Sequence, residues 1–334
     1  MPTSEPEYEE VVGMSTKILR QNVPLGAVRT AGRAPSIHNS QPWRFRVGQN
    51  RVDLYADRSR WLPVTDADGR DLLLSCGAAL HHLRLALSAM GQVTVHRFPT
   101  ADDPDHLASV ELRTRGASAE SDPALQTAIT SRRTDRRPFT QWPIPQAFVN
   151  QLVERASDQG AVLRLVRDPG AVKTLLAVIA AAAAAQEHLP GYQVELARWT
   201  AAEGSVGIPT SNLLLDPKVD VLAARSFPPG ELASGESGTS DGAILMVLGT
   251  ASDDPLSQLR AGEALSAVLL QATQHGLATC PISQALENRA SRQAIQDAVV
   301  DGTVCPQIVV RLGWPPANSP VPPTPRRPMA EILV

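Results

Sequence analysis

Two short stretches of the 334-residue chain gather side chains that could hold a polar ligand: residues 35 to 43, PSIHNSQPW, and residues 131 to 139, SRRTDRRPF. In the first, Ser36 offers a hydroxyl, while Asn39 and Gln41 each offer a carbonyl acceptor and an amide donor. An amide beside a hydroxyl suits the pyrimidine edge of a flavin, where one N–H lies between two carbonyls. An ordinary Asn-Ser turn before Pro42, with Trp43 anchoring the next strand, accounts for the same residues. Gln41 either joins the recognition or braces the loop. His38 reads as solvent-facing or structural rather than catalytic.

In the second stretch Arg132, Arg133, Arg136 and Arg137 fall within six residues, near the end of a predicted helix. If the helix continues, Arg132/Arg136 and Arg133/Arg137 stack at i, i+4 and repel by a few tenths of a kcal/mol. A bound phosphate removes that repulsion, because guanidinium forks match phosphate oxygens, and Thr134 adds a hydroxyl donor. The other reading is a basic helix end that complements the macrodipole and faces water.

The elements that must position these stretches alternate between helix and strand. Residues 24–33 read as a helix leading into the first loop, and 43–47 and 51–55 as strands joined by the turn GQN. A long apolar helix spans 68–90 and ends at Gly91, followed by the strands QVTVHRF and ASVELRT. Asp122 before Pro123 marks the start of the helix that carries the arginines. Helices over 145–157 and 170–203 flank the strand AVLRLV. Beyond a Gly/Pro/Ser-rich stretch come the strand AILMVLG, a helix over 256–275 and the strand PQIVVRLGW. The proline-rich tail, 315–328, is expected to be extended along the surface.

These segments repeat. Helix 68–90 answers to 259–275, ASVELRT to PQIVVRLGW, and the residues around the first loop to QLVERASDQGAVLRLVRD, where the polar loop is missing. Conversely, the arginine cluster of the second copy has no counterpart in STKILRQNVPL. The halves, 1–120 and 121–334, therefore hold complementary parts, as a fused pseudo-dimer with one composite site would.

Composition narrows the alternatives. A net charge of -3 argues against a nucleic-acid or anionic-membrane binder. The apolar run from Leu175 to Ala185 is shorter than the ~20 residues of a membrane span and reads as a buried helix. Cys76, Cys280 and Cys305 are scattered, outside metal spacing, and suit a reducing cytoplasm; the acidic, polar start MPTSEPEYEE does not read as a signal peptide. The sequence has no G-x-G-x-x-G, Walker loop or G-x-S-x-G. His81, His82 and Cys76 share an apolar helix and read as core positions rather than zinc ligands.

Taken together, APSIHNSQPW, RRTDR, GLATCPI, RLGWPP and PRRP resemble the FMN-dependent nitroreductase superfamily, and most of all its Acg-type mycobacterial branch. The likeness runs from about residue 20 to residue 330. It implies an α+β nitroreductase-like fold with mixed or antiparallel sheets flanked by helices, and one chain doing the work of the family's two subunits, hence a monomer. It also implies FMN as cofactor, NAD(P)H as reductant and a small-molecule electron acceptor. By position, Arg132, Thr134 and Arg136 match phosphate and ribityl contacts, and Arg326 and Arg327 the phosphate-side residues of the C-terminus. Pro35, Ser36 and Asn39 match the loop that reaches the flavin ring, and Pro281 and Ile282 the backbone beside its N5.

Two departures qualify the likeness. Ser283 and Gln284 follow Pro281-Ile282 where the family has an acidic residue or glycine and then glycine. Residues 204–240 have no counterpart in compact members; Leu213, Leu214, Leu215, Val221, Leu222 and Phe227 suit either a lid over the flavin or a surface excursion. Two functions are therefore open: an NAD(P)H-dependent reductase of nitroaromatic or quinone acceptors, and a protein that sequesters FMN under a lid with little turnover.

Overall fold

The computed structural model describes residues 25–98, 100–115, 122–200, 204–216, 225–234, 240–316 and 320–334. Val221, Leu222 and residues 1–24 lie outside the described residues.

Each half contains a four-stranded antiparallel sheet and a long helix that packs against the other half. In the first half, helix α1 (residues 25–31) precedes β1 (Trp43–Val47) and β2 (Arg51–Ala56). Helix α2 (Arg70–Ser88) then leads to β3 (Gly91–Arg97) and β4 (His106–Arg115), giving the strand order β1-β2-β4-β3. The second half repeats the plan. Helices α3 (Pro123–Ser131) and α4 (Gln146–Asp158) precede β5 (Val162–Leu165), followed by α5 (Pro169–Glu187), α6 (Tyr192–Trp199) and β6 (Ile244–Thr250). Helix α7 (Pro255–Gln274), β7 (Ala278–Ile282), α8 (Arg289–Ala298) and β8 (Cys305–Gly313) complete the order β5-β6-β8-β7. All pairings between named strands are antiparallel. The parallel contacts among the described residues are isolated bridges, two of them at sheet edges, Phe45↔Leu333 and Thr134↔Thr279.

The halves meet where α2 crosses α7, and the contact is main chain on main chain. A Cβ on Gly77 would sit 2.0 Å from the Leu259 carbonyl oxygen, and one on Gly262 would sit 2.1 Å from that of Leu74. Only glycine at both positions permits this approach. The crossing also trades side chains: Leu74 of α2 is buried in the core of the second half, and Leu259 of α7 in the core of the first. Eight residues beyond each glycine, Leu85 and Leu270 pack with Leu125, Ala128 and Ile129 of α3 in a smaller cluster spanning both. Buried Glu263 adds charge pairing across the halves, accepting from Arg84 Nη1 at 2.7 Å and from Arg97 Nε at 2.7 Å.

Several expectations need correction. The segment 170–203 is two helices, broken at Leu189–Gly191, where Gly191 takes φ +84°. Helix α5 is long and apolar enough in composition to cross a membrane, yet the folded chain buries only its stripe Leu175, Ile179, Ala182 and Gln186. Helix α8, capped by the Asn288 side chain, was not anticipated. The C-terminal tail does not simply follow the surface. It buries Arg327, ends in helix α9 (Met329–Ile332), sets Ile332 in the first core and donates from Val334 N to Phe45 O. The end of the second segment thus belongs spatially to the first half.

Replacing Gly77 or Gly262 with alanine is expected to destabilise the chain by about 1–3 kcal/mol, because the helices must separate and uncover both traded leucines. Gly26→Ala, with open space around its Cβ, should be neutral or stabilising by about 0.5–1 kcal/mol. Urea unfolding midpoints of the three variants check this ranking.

Candidate functional site

The loop after α1 is held in an unusual backbone. His38, Asn39 and Gln41 take φ values of +45°, +56° and +53°, in the left-handed region that side chains other than glycine rarely adopt. Hydrogen bonds hold it there. Ser36 Oγ accepts from Gln41 N at 3.0 Å, Ile37 N donates to Ser75 Oγ at 3.1 Å, and Cys76 Sγ donates to Pro42 O at 3.1 Å, which seats the loop on α2.

Seated there, Pro35, Ser36 and His38 form one wall of a cavity of about 150 Å³ between the halves. Thr134, Arg136, Pro281 and Ile282 line it from the second half. The two polar stretches of the sequence therefore meet. Their members do not all meet the cavity, however. Asn39 uses its amide within the chain: Nδ2 donates to Gly207 O at 2.9 Å and Pro325 O at 3.1 Å, and Oδ1 accepts from Arg326 at 3.0 Å. Gln41 Nε2 donates to Ser205 O at 2.8 Å, and its Oε1 accepts from Arg327 N at 2.9 Å. Both residues brace the loop against the tail, which corrects the expectation that Asn39 faces a ligand edge. His38 is buried rather than solvent-facing, edge-on to Phe227 with ring centroids 5.7 Å apart. Burial, then Arg225 and Arg136, push its imidazole well below the usual histidine range, so it is neutral at physiological pH.

The arginines divide into three groups. Helix α3 begins at the Asp122 cap, whose side chain accepts from Ala124 N at 2.9 Å, and it stops at Ser131, with Arg132 at ψ +130°. The i, i+4 stacking expected of a continuing helix therefore does not form. Arg137 pairs with Asp135 at 2.8 Å. Arg327 is likewise structural: it lies 3.3 Å from Asp57 and donates to Gln41 O and Trp43 O at 3.1 Å each. Arg136 donates to Asn212 O at 3.2 Å and lies 5.1 Å over the Phe227 ring.

Arg132, Arg133 and Arg326 form the third group. Nε and Nη1 of Arg132, Nε of Arg133 and Nε of Arg326 are buried with no hydrogen-bond partner among the described residues. Burial first, then Arg133 and Arg33, push Arg132 down to about 10; burial, then Arg132, Arg33 and Arg133, push Arg326 down to about 9. Among the described residues, the main charges acting on these three are other arginines. Orphaned buried N–H groups on charged side chains are costly, and an anion with several oxygens relieves them together. The cluster adjoins the cavity along the chain, Arg132 standing two residues before Thr134.

The described residues of the inserted segment supply part of the cavity wall. Leu214, Arg225, Phe227 and Pro228 line it, and Leu214 bridges to Leu232, joining the two described stretches 204–216 and 225–234. Arg225 forms a buried ion pair with Glu287 and donates to Tyr192 Oη at 3.0 Å. The sequence singled out neither Arg225 nor Asp71, which faces the same cavity from the first turn of α2. An acidic residue opening an apolar helix was the available signal.

Relatives with the same span identify the family. The chain is 41% identical over 314 residues, 91% of its length and 88% of the relative's, to "Putative NAD(P)H nitroreductase Rv3131" of Mycobacterium tuberculosis H37Rv. It is 38% identical over 331 residues, 96% and 98% of the two chains, to "Putative NAD(P)H nitroreductase acg" of the same organism. The chain belongs to the Acg-type nitroreductase family. No family model matches it. Among solved structures it resembles the FMN and NADPH-dependent nitroreductase NfnB of Sphigopyxis sp. strain HMH, at 16% identity over 62% of this chain and 96% of that one, with a TM-score of 0.43. It also resembles a nitroreductase with bound FMN from Desulfitobacterium hafniense, at 14% identity over 62% and 95% of the chains, with a TM-score of 0.39.

In this Acg-type chain the N-terminus of α2 has its own charge problem. Asp66 accepts from Asp71 N at 3.0 Å and Leu72 N at 2.9 Å, yet burial outweighs these bonds and raises its carboxyl to about 7. A carboxyl raised on folding binds more protons in the native than in the unfolded chain, so its contribution falls as pH rises. Wild-type stability relative to Asp66→Asn is therefore expected to decline from about pH 4, near the unfolded carboxyl value, to about pH 7. Thermal melts of both proteins across that window measure the difference; a flat or rising difference contradicts the assignment.

Proposed function

We propose that the chain is a nitroreductase-type flavoprotein that binds one FMN across its two halves and uses NAD(P)H to reduce small nitroaromatic or quinone-like acceptors. One observation carries this reading: buried Arg132, with two guanidinium donors unpartnered among the described residues and other arginines as the main charges acting on it, stands two residues before Thr134 in the wall of a cavity lined from both halves. The phosphate of FMN matches that need, with Arg133 and Arg326 as further donors. Thr134 and Arg136 then serve the ribityl side of the cavity, and Pro35, Ser36, Pro281 and Ile282 its ring side. Asn39, Gln41 and Arg327 are positioning residues that hold the loop and the tail. FMN supplies the hydride chemistry when bound. The same reading makes the chain a monomer in which 1–120 and 121–334 stand in for two subunits, and its three free cysteines favour a cytoplasmic setting.

A second reading, FMN held under the lid with little turnover, draws support from the Arg225–Glu287 latch, whose side chains are only 7% and 1% exposed. Mixing the FMN-loaded protein with NADPH separates the two. Prompt bleaching of the visible flavin band supports the reductase, and persistent colour supports sequestration.

Arg132→Met is expected to weaken FMN binding about 10- to 100-fold, the worth of about 1.5–3 kcal/mol for hydrogen bonds from a charged donor. The cofactor-free variant should be at least as stable as wild type, since an unpaired buried cation is gone. Fluorescence titration with FMN and a thermal melt check both halves of the expectation. Unchanged affinity contradicts the phosphate assignment.

A further inference from the structure

The cavity holds an acid that the phosphate and ring contacts do not use. Asp71 stands in the first turn of α2, is 7% exposed, lines the cavity, and leaves Oδ2 with no hydrogen-bond partner among the described residues. Its surroundings come from four elements: Asp66 in the segment before α2, Arg70 on α2 itself, Glu287 after the short turn Gln284–Leu286, and Arg225 in the inserted segment. Glu287 is paired with Arg225 and accepts from Ser283 Oγ at 2.6 Å. Arg70 donates through Nη2 to Gln307 Oε1 at 2.6 Å and lies 3.3 Å from Asp253, while its Nε and Nη1 have no hydrogen-bond partner among the described residues.

The environment separates Asp66 from Asp71. Asp66 accepts two backbone N–H groups, which favour its charged form. Asp71 has no such donors on Oδ2; burial first, then Asp66 and Glu287, raise its carboxyl well above the usual range. Both carboxyls are raised, but the two backbone donors make Asp66 the easier one to ionise and leave Asp71 the one that keeps its proton. The acidic one faces the cavity, where Cys280, Pro281 and Ile282 form another part of the wall.

We propose that Asp71 is a catalytic residue of this cavity, donating a hydrogen bond from Oδ2 to a nitro or quinone oxygen of the electron acceptor and then its proton to that oxygen. The inference rests on the FMN reading above. In the step, a hydride from the reduced cofactor brings two electrons to the acceptor. The Asp71 O–H bond breaks as an O–H bond forms on the acceptor oxygen. A quinone leaves as the hydroquinone; a nitro group loses that oxygen as water and leaves as the nitroso compound. The Asp71 carboxylate then takes a proton from water. Delivery of a proton by a positioned acid is worth on the order of 100-fold or more.

The test reads the acid before any turnover. Infrared spectra of the cofactor-free full chain at pH 7 are expected to show a protonated-carboxyl band in Asp66→Asn that is missing when Asp71→Asn is added to it. In the FMN-loaded protein without reductant, nitrofurazone should shift that band. In stopped flow with NADPH, Asp71→Asn should slow reoxidation of the flavin by nitrofurazone on the order of 100-fold relative to its bleaching. An Asp66→Asn spectrum without the band, a band that the double variant retains, or an unchanged ratio of the two rates overturns the proposal. The cofactor-free spectrum decides the state of Asp71 whether or not FMN binds, so failure of the flavin reading shows separately, as a chain that takes up no FMN.

Discussion

The approach of two helix backbones at Gly77 and Gly262 sets the terms for everything else in this chain. Main-chain contact at that crossing brings Leu74 into one core and Leu259 into the other. Separating the halves would uncover both leucines, each worth about 1.5–3 kcal/mol of burial. The cavity inherits this rigidity, since Leu74 stands three residues before Gly77 and Leu265 three residues after Gly262, and both line it. Matching strand orders on either side show how one plan, used twice, can leave two unlike walls facing each other.

Charge then distinguishes the ends of the site. At one end, arginines depress one another and are the main charges acting on each other among the described residues, an arrangement that favours an anion. At the other, buried carboxyls are shared among Asp66, Asp71 and Glu287, and Arg225 of the inserted segment neutralises Glu287. The inserted segment is therefore tied to the acidic end by an ion pair and to the loop by Asn39 and Gln41. Its position and the strained backbone of residues 38–41 support each other.

Much of this was legible in sequence because it rests on local rules. The duplicated helix–strand order, the Asp122-Pro123 helix start and the meeting of the Ser36 loop with Thr134 and Arg136 follow from pattern and spacing. What escaped depends on where individual side chains point. Arg326 and Arg327 are neighbours in an extended tail, so their side chains diverge; one joins the arginine cluster and the other pairs with Asp57. An asparagine amide reads the same whether it meets a ligand or the chain's own carbonyls, so Asn39 could not be assigned by type. The end of α3 at Ser131 separated arginines that helical spacing would have stacked. Helix α8, by contrast, had a readable Asn288 cap and was overlooked.

If two unlike halves of one chain make one cofactor site, the FMN-saturated protein carries one FMN per 334-residue chain on a monomeric species. Flavin content per chain, measured together with molar mass in solution by light scattering, reads both quantities. Two flavins per chain, none, or flavin found only on a dimer would rule out the shared site.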